Sequence, residues 1–197
     1  MLLKGKKIGF AVTGSHCTLA RIPREVQRLV DEGANILPIL SKSVAMTDTR
    51  FGTAESWRKA LVDITKNEPI TSIKDAEPIG PKGLLDALII APCTGNTLAK
   101  LANGIIDSTV LMAAKAHLRN QKPLVIAVST NDGLGLNARN IGVLLNVKNI
   151  YFVPFGQDDP KKKANSLVAK MDKILETLLE AFEGKQIQPI LSSYNNN

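Results

Sequence analysis

The sequence predicts an α/β fold whose sheet is mostly parallel and flanked by helices. Apolar runs of strand length alternate with helical patterns along the chain, the order that successive βα units produce. One run, Leu84-Leu85-Asp86-Ala87-Leu88-Ile89-Ile90-Ala91, is apolar on both faces, as a strand inside a covered parallel sheet must be. The segments that follow the strands are rich in small polar residues, which suits the carboxyl edge where such sheets bind ligands.

Taken in order, Lys7–Val12 reads as the first strand and Thr13–Cys17 as a loop. Leu19–Glu32 places Leu19, Ile22, Val26, Leu29 and Val30 at helical spacing, with Pro23 in the first turn and Gly33 at the stop, positions that suit both residues. Asn35–Leu40 is the second strand, Ser41–Gly52 a polar loop and Thr53–Thr65 a helix. Lys66–Gly83, with three prolines and two glycines, reads as an irregular connection. A strand over Ala87–Ala91 leads into a helical stretch, Leu98–Asn120, broken near Gly104. Leu124–Val128 is the next strand, Ser129–Leu136 a loop, Asn137–Val147 a helix and Ile150–Val153 a short strand. Asp159-Pro160 is a helix-start signal, so Pro160–Glu183 is expected to form one long amphipathic helix. Residues 1–185 are expected to form a single domain, and residues 186–197 a frayed C-terminal tail.

Composition narrows the function. A chain of 197 residues supports one well-buried domain. Its mean hydropathy of +0.02 is that of an ordinary globular protein, and no apolar stretch reaches the roughly 18 residues that span a bilayer. Lys4, Lys6 and Lys7 precede an apolar run, Ile8–Val12, that is too short for a signal peptide, so a cytoplasmic location and no membrane partner are expected. The formal charge is +7, but the basic residues are scattered and only 4% of residues are aromatic. Base-stacking platforms are therefore not expected, nor is a nucleic-acid partner. A small anionic ligand or an acidic partner accounts for the charge as well. Two cysteines make no disulfide framework and no zinc site, so no metal is expected.

Four loops fall at one edge of a parallel sheet: Thr13–Cys17, Ser41–Thr49, Pro92–Thr97 and Ser129–Gly135. The third is the most informative, because free N–H groups at the following helix start join the Thr94 and Thr97 hydroxyls and the Asn96 amide in an anion site. The first, Thr13-Gly14-Ser15, lacks G-x-G-x-x-G spacing, and no acidic residue ends the second strand to take a ribose hydroxyl. A dinucleotide site is therefore disfavoured. A monophosphate suits the loops better, with Thr13, Ser15 and Ser41 as hydroxyl donors. Asn131 and Arg139 are candidates for a substrate carboxylate. His16, where the first helix begins, is a candidate base or phosphate donor against a plain capping role. His117 reads as structural. Cys17 and Cys93 lie in neighbouring loops, where packing beneath a ligand competes with a functional thiol pair.

These residues carry a resemblance. Thr13-Gly14-Ser15, Ser41, Ala91-Pro92-x-Thr94-x-Asn96-Thr97-x-Ala99-Lys100-x-Ala102-x-Gly104-Ile105-x-Asp107 and Ser129-Thr130-Asn131 resemble the flavoprotein family of FMN-binding cysteine decarboxylases and prenyl-flavin synthases. The resemblance covers nearly all of Lys6–Leu179. It implies a Rossmann-like three-layer fold, a homo-oligomer that is a trimer or a multiple of one, and FMN at a subunit interface. Thr13, Gly14, Ser15 and Ser41 would meet the FMN phosphate. Pro92, Thr94, Asn96 and Thr97 would line phosphate, ribityl chain and ring, while Asn131 would bind a substrate carboxylate. The likeness is greatest to the branch of the family that serves dipicolinate formation in endospore-forming bacteria. That branch implies an oxidoreductase role in sporulation, the conversion of dihydrodipicolinate, a small dicarboxylate, to dipicolinate with a separate A subunit. NADP is a further cofactor candidate, by way of that partner protein.

Two departures from the family pattern stand out. The Pro-Ala-Met-Asn motif reads Val128-Ser129-Thr130-Asn131, with only the asparagine intact, and Met46 falls about where the decarboxylases carry a catalytic histidine. Two alternatives accompany the oxidoreductase reading: an FMN-dependent decarboxylase, and a non-catalytic component that binds substrate or supports assembly.

Overall fold

Strands β1 (Lys7–Val12), β2 (Asn35–Leu40), β3 (Ala87–Cys93), β4 (Leu124–Thr130) and β5 (Ile150–Phe152) pair in parallel in the order β2-β1-β3-β4-β5 in the computed structural model, which describes residues 1–193. β3 is buried along its whole length and β4 along all but its last residue, so the doubly apolar run predicted near Ala87 is the centre of the sheet. Fully burying a side chain such as Ile89, Ile90, Val125 or Ile126 stabilises the fold by about 1.5–3 kcal/mol relative to exposure.

Helices cover both faces. On one, α1 (Ile22–Asp31) packs against α3 (Ala54–Thr65) and α8 (Ile174–Phe182); on the other, α6 (Thr109–Leu118) packs on β3 and on α4 (Ile73–Ala76), while α5 (Gly95–Ala102) packs against α7 (Asn137–Leu145). Pro23 sits in the first turn of α1 and Gly33 follows its end at φ +89°. A Cβ at Gly33 would also lie 3.1 Å from the Lys4 backbone, so the turn into β2 needs glycine for conformation and for space. The predicted stretch Leu98–Asn120 is two helices, with Gly104 in the connection at φ +68°.

Three expectations are corrected. Ser41–Gly52 is not wholly loop, because Lys42–Met46 forms a short helix, α2. The long helix expected over Pro160–Glu183 is not continuous: β7 (Leu167–Ala169) lies within it, paired antiparallel with the preceding β6 (Phe155–Gly156), and only Ile174–Phe182 is α-helical. The Asp159 signal does act locally, since its carboxylate accepts from Lys162 N at 3.1 Å and its carbonyl from Lys163 N at 2.7 Å. That turn stops because the end of β4 has an open edge, and Ser129 and Thr130 pair with Val168 and Leu167. Backbone pairing on a sheet edge outweighs a local capping preference. The third correction concerns the tail. Gln186 exchanges hydrogen bonds with the Phe152 backbone at 2.7 and 2.8 Å, and Phe155 bonds the Ile190 and Ser192 backbones. Residues 186–193 are thus docked, and the remainder of the expected tail lies outside the described residues.

β4 consequently forks. Its first half pairs with β5 in parallel and its last two residues pair with β7 antiparallel. The fork carries the β6–β7 connection to the carboxyl edge of the sheet.

His117 is structural, as expected. It is fully buried, its Nε2–H donates to the Pro123 carbonyl at 3.0 Å, and its Nδ1 has no partner. Burial pushes its pKa below the ordinary 6.5, partly offset by the Pro123 bond. The unfolded chain therefore binds a proton at a pH where the folded chain does not. The contribution to stability is complete above pH 6.5 and is lost as pH falls towards the folded value. Melting temperatures measured on both sides of pH 6.5 should fall on the acid side. His117→Gln should flatten that slope, and equal slopes in the two proteins would refute the assignment.

Candidate functional site

The four predicted loops meet at the carboxyl edge of the sheet and enclose two adjoining cavities that share Gly14 and Thr94. The first, about 350 Å³, is walled by Gly14, Ser41, Thr94, Asn96 and Thr97, with Thr13 at its base. Lys42, Ser43, Lys100, Ser108 and Leu111 complete it. The second, about 490 Å³, takes Ser15, His16, Ser129 and Asn131 together with Arg50, Phe51, Asp158, Lys163 and Ser166.

Local chemistry explains the first cavity. Thr94 is the N-cap of α5, accepting from Thr97 N at 3.2 Å and donating to the Thr97 hydroxyl at 3.0 Å. The helix start therefore points its amide dipoles into a space rimmed by hydroxyls. Ser41 stands at the N-cap position of α2 at the end of β2 without a side-chain capping bond, and its hydroxyl lies 3.2 Å from that of Ser43. Lys100 pairs with Asp107 at 2.6 Å. Lys100 was readable in the sequence, because it lies one turn after Thr97 on the same helical face. Lys42, Ser43 and Ser108 carried no signal beyond their polar neighbourhoods.

Thr13 plays a part different from the one expected. Its hydroxyl donates to the Pro92 carbonyl at 2.6 Å and accepts from Thr94 N at 2.9 Å. With its one O–H committed to Pro92, it has no proton left for a phosphate. Thr13 holds the cavity in shape. Pro92 is buried within β3 and contributes its carbonyl to that clamp. Ser15 faces the second cavity instead of joining Ser41, because its hydroxyl lies 2.8 Å from that of Ser129, which also meets Thr18 at 2.9 Å.

Two glycines keep the space open. A Cβ on Gly14 would collide with Ser43 Oγ and lie 3.3 Å from His16 Nε2. A Cβ on Gly95 would come within 2.5 to 2.7 Å of Thr130, Asn137 and Asp132, a polar cluster in which the Asp132 carboxylate accepts from both the Thr130 hydroxyl and the Asn137 amide. Asn131 lies beside that cluster in the second cavity. Arg139 does not join it: the residue is exposed on α7 and lines neither cavity. Met46, where the decarboxylases carry histidine, is 73% exposed and also lines neither.

Burial pushes the Cys93 thiol up to about 12. It is therefore a packing residue, and Cys17 alone is accessible. Asp158 is the opposite case: despite a burial effect that raises it, hydrogen bonds from Ser166 and Lys163 hold its carboxyl below the usual range. Among the described residues no group of three or more His, Cys, Asp and Glu side chains is arranged to hold a metal ion. Nor is any described helix long and apolar enough to cross a membrane.

The sheet is Rossmann-like and carries a hydroxyl-lined cavity at its carboxyl edge, and residues 2–183 match the Flavoprotein family, to which the chain belongs. It is 53% identical over 196 residues to the B subunit of dipicolinate synthase of Bacillus subtilis (strain 168), across 99% of this chain and 98% of that one. It is also similar to the crystal structure of the dipicolinate synthase B subunit from Bacillus halodurans, at a TM-score of 0.90 and 49% identity, covering 98% of this chain and 99% of that one. The structure of the FMN binding protein AtHal3 shares the fold at a TM-score of 0.66 and 19% identity, covering 93% of this chain and 100% of that one.

Replacing Thr13 by Val should cost about 1–3 kcal/mol, the penalty for leaving the part-buried Thr94 N–H unpaired while the Pro92 carbonyl keeps only the Thr13 N–H. Denaturant unfolding measures it, and an unchanged midpoint would show that Thr13 is no clamp.

Proposed function

We propose that the chain acts as the B subunit of dipicolinate synthase, oxidising dihydrodipicolinate to dipicolinate together with a separate A subunit, and holds FMN by its phosphate in the first cavity, leaving the second to the substrate. The observation that carries this reading is the pair of joined cavities, one rich in hydroxyls and one bearing an amide and cations. The likeness to dipicolinate synthase B subunits along the whole chain supports it, and the chemistry of the donor set fits the cofactor. The Ser41, Ser43 and Thr97 hydroxyls, the α5 N-terminus and the Lys42 and Lys100 ammonium groups suit a phosphomonoester. Gly14 leaves the passage between the cavities open.

Aromatising the substrate removes a hydride and a proton. When bound, FMN supplies the hydride acceptor. His16, beside Gly14, takes the proton at Nε2, and the Asn131 amide donates to a substrate carboxylate. The hydroxyls of Ser15, Thr18 and Ser129 keep the loops that carry these two residues together. NADP belongs to the partner protein in this reading. Self-association is also part of it, supported by the exposure of Leu136, Val143 and Leu145 on and beside α7. The decarboxylase alternative is not favoured, since Met46 stands outside both cavities.

Titrating FMN into the purified protein should quench flavin fluorescence. Gly14→Ala, with its Cβ against Ser43, should weaken that binding about tenfold or more at an unchanged circular dichroism spectrum. Absence of quenching in the wild type would overturn the flavin assignment. Mixing both proteins with dihydrodipicolinate and omitting each in turn tests the reaction. Turnover by the A subunit alone would give this chain a binding or assembly role.

A further inference from the structure

We infer that Arg50 and Lys163, and not Arg139, are the cations that hold the two carboxylates of a dicarboxylate in the second cavity, with Asn131 as their neutral partner. This assignment rests on the proposed substrate class and adds the residues that would select it. The two cations reach the cavity from unrelated parts of the chain: Arg50 from the turn between α2 and α3, Lys163 from the β6–β7 connection.

Arg50 stands in a well-built turn. Thr49 and Gly52 exchange backbone hydrogen bonds at 3.0 and 3.1 Å, and the Asp48 carboxylate accepts from Ala54 N at 2.9 Å. Gly52 sits at φ +145° with the Trp57 ring 2.8 Å from where a Cβ would fall, so the turn is wedged against α3. Among the described residues Arg50 makes no ion pair. Its guanidinium lies 4.8 Å from the centre of the Phe51 ring, and both residues line the cavity. A free guanidinium braced on an aromatic face is well prepared for a bidentate carboxylate.

Lys163 is held in place by Asp158 at 3.2 Å. One contact leaves an ammonium with donors to spare, so the lysine can serve the cavity while Asp158 positions it. The charge balance then sets selectivity. Arg50 and Lys163 against one Asp158 carboxylate leave the cavity with a single net positive charge, and removing either cation leaves none to attract a dianion. A volume of about 490 Å³ accommodates a single-ring dicarboxylate. Asn131 has no hydrogen-bond partner among the described residues, which leaves its amide free for the same ligand.

Isothermal titration of the full-length protein with dipicolinate and with its monocarboxylate counterpart picolinate tests this. The wild type should prefer the dicarboxylate. Arg50→Gln and Lys163→Gln should each weaken dipicolinate about tenfold or more and remove the preference, whereas Arg50→Lys should recover part of it. Arg139→Gln should bind as the wild type does. FMN quenching by Arg50→Gln and Lys163→Gln should match the wild type, which separates loss of this subsite from loss of the fold. Undiminished preference in Arg50→Gln, or no dicarboxylate binding by the wild type, would overturn the assignment. A wild type that binds dipicolinate without quenching FMN would uphold it and overturn the flavin reading instead.

Discussion

The site depends on one buried hydroxyl. Thr13, at the end of β1, donates to the Pro92 carbonyl and accepts from Thr94 N, and its own N–H reaches the same carbonyl at 3.3 Å. Three contacts thereby tie the ends of two adjacent strands together where the parallel ladder runs out. A ladder that simply ended there would leave these groups buried without partners, at the full desolvation cost. The clamp sets where Thr94 begins α5, and that helix start sets which N–H groups and hydroxyls face the first cavity.

A second constraint is the fork in β4. A strand of seven residues meets β5 along its first half and β7 at its end. The switch of partner brings the β6–β7 connection over the same edge that β1, β2 and β3 already shape. Asp158, Lys163 and Ser166 reach the second cavity only for this reason. The two cavities thus differ in origin: one is made by the loops of successive βα units, the other by a loop of that kind closed off by an antiparallel addition. Their chemistry differs accordingly, with hydroxyls and helix-end amides in the first and side-chain charges in the second.

Space at the junction is governed by small residues. Gly14 stands where a Cβ would meet Ser43 and His16, and Gly95 where it would meet Thr130, Asn137 and Asp132, polar side chains that already hydrogen-bond to one another. Such a cluster is costly to disturb, because a displaced group loses more than one partner at once. The glycines reconcile two demands, a closely bonded wall and an open passage along it. Buried Cys93 contributes only packing, which its raised thiol pKa reflects.

The sequence by itself determined the class of fold and the position of the site. Runs that must be buried on both faces, such as Ala87–Ala91, admit few places in an α/β sheet, and loops after such strands necessarily share an edge. The Thr94, Asn96 and Thr97 constellation followed from the same logic, since capping and anion binding use the same local residues. Tertiary structure alone decided how those residues are employed. Whether the Thr13 hydroxyl faces a ligand or a carbonyl depends on what β3 presents across the ladder, and periodicity does not record it. The strands over 155–169 lay hidden beneath a genuine helix-start signal at Asp159 because the open edge of β4 is a distant partner. The meeting of Arg50 and Lys163 at the second cavity was unreadable for the same reason, and Arg139, a candidate because it follows Asn131 in the chain, lines neither cavity. Local patterns report energies paid within a few residues, whereas a cavity collects side chains that only the completed sheet brings together.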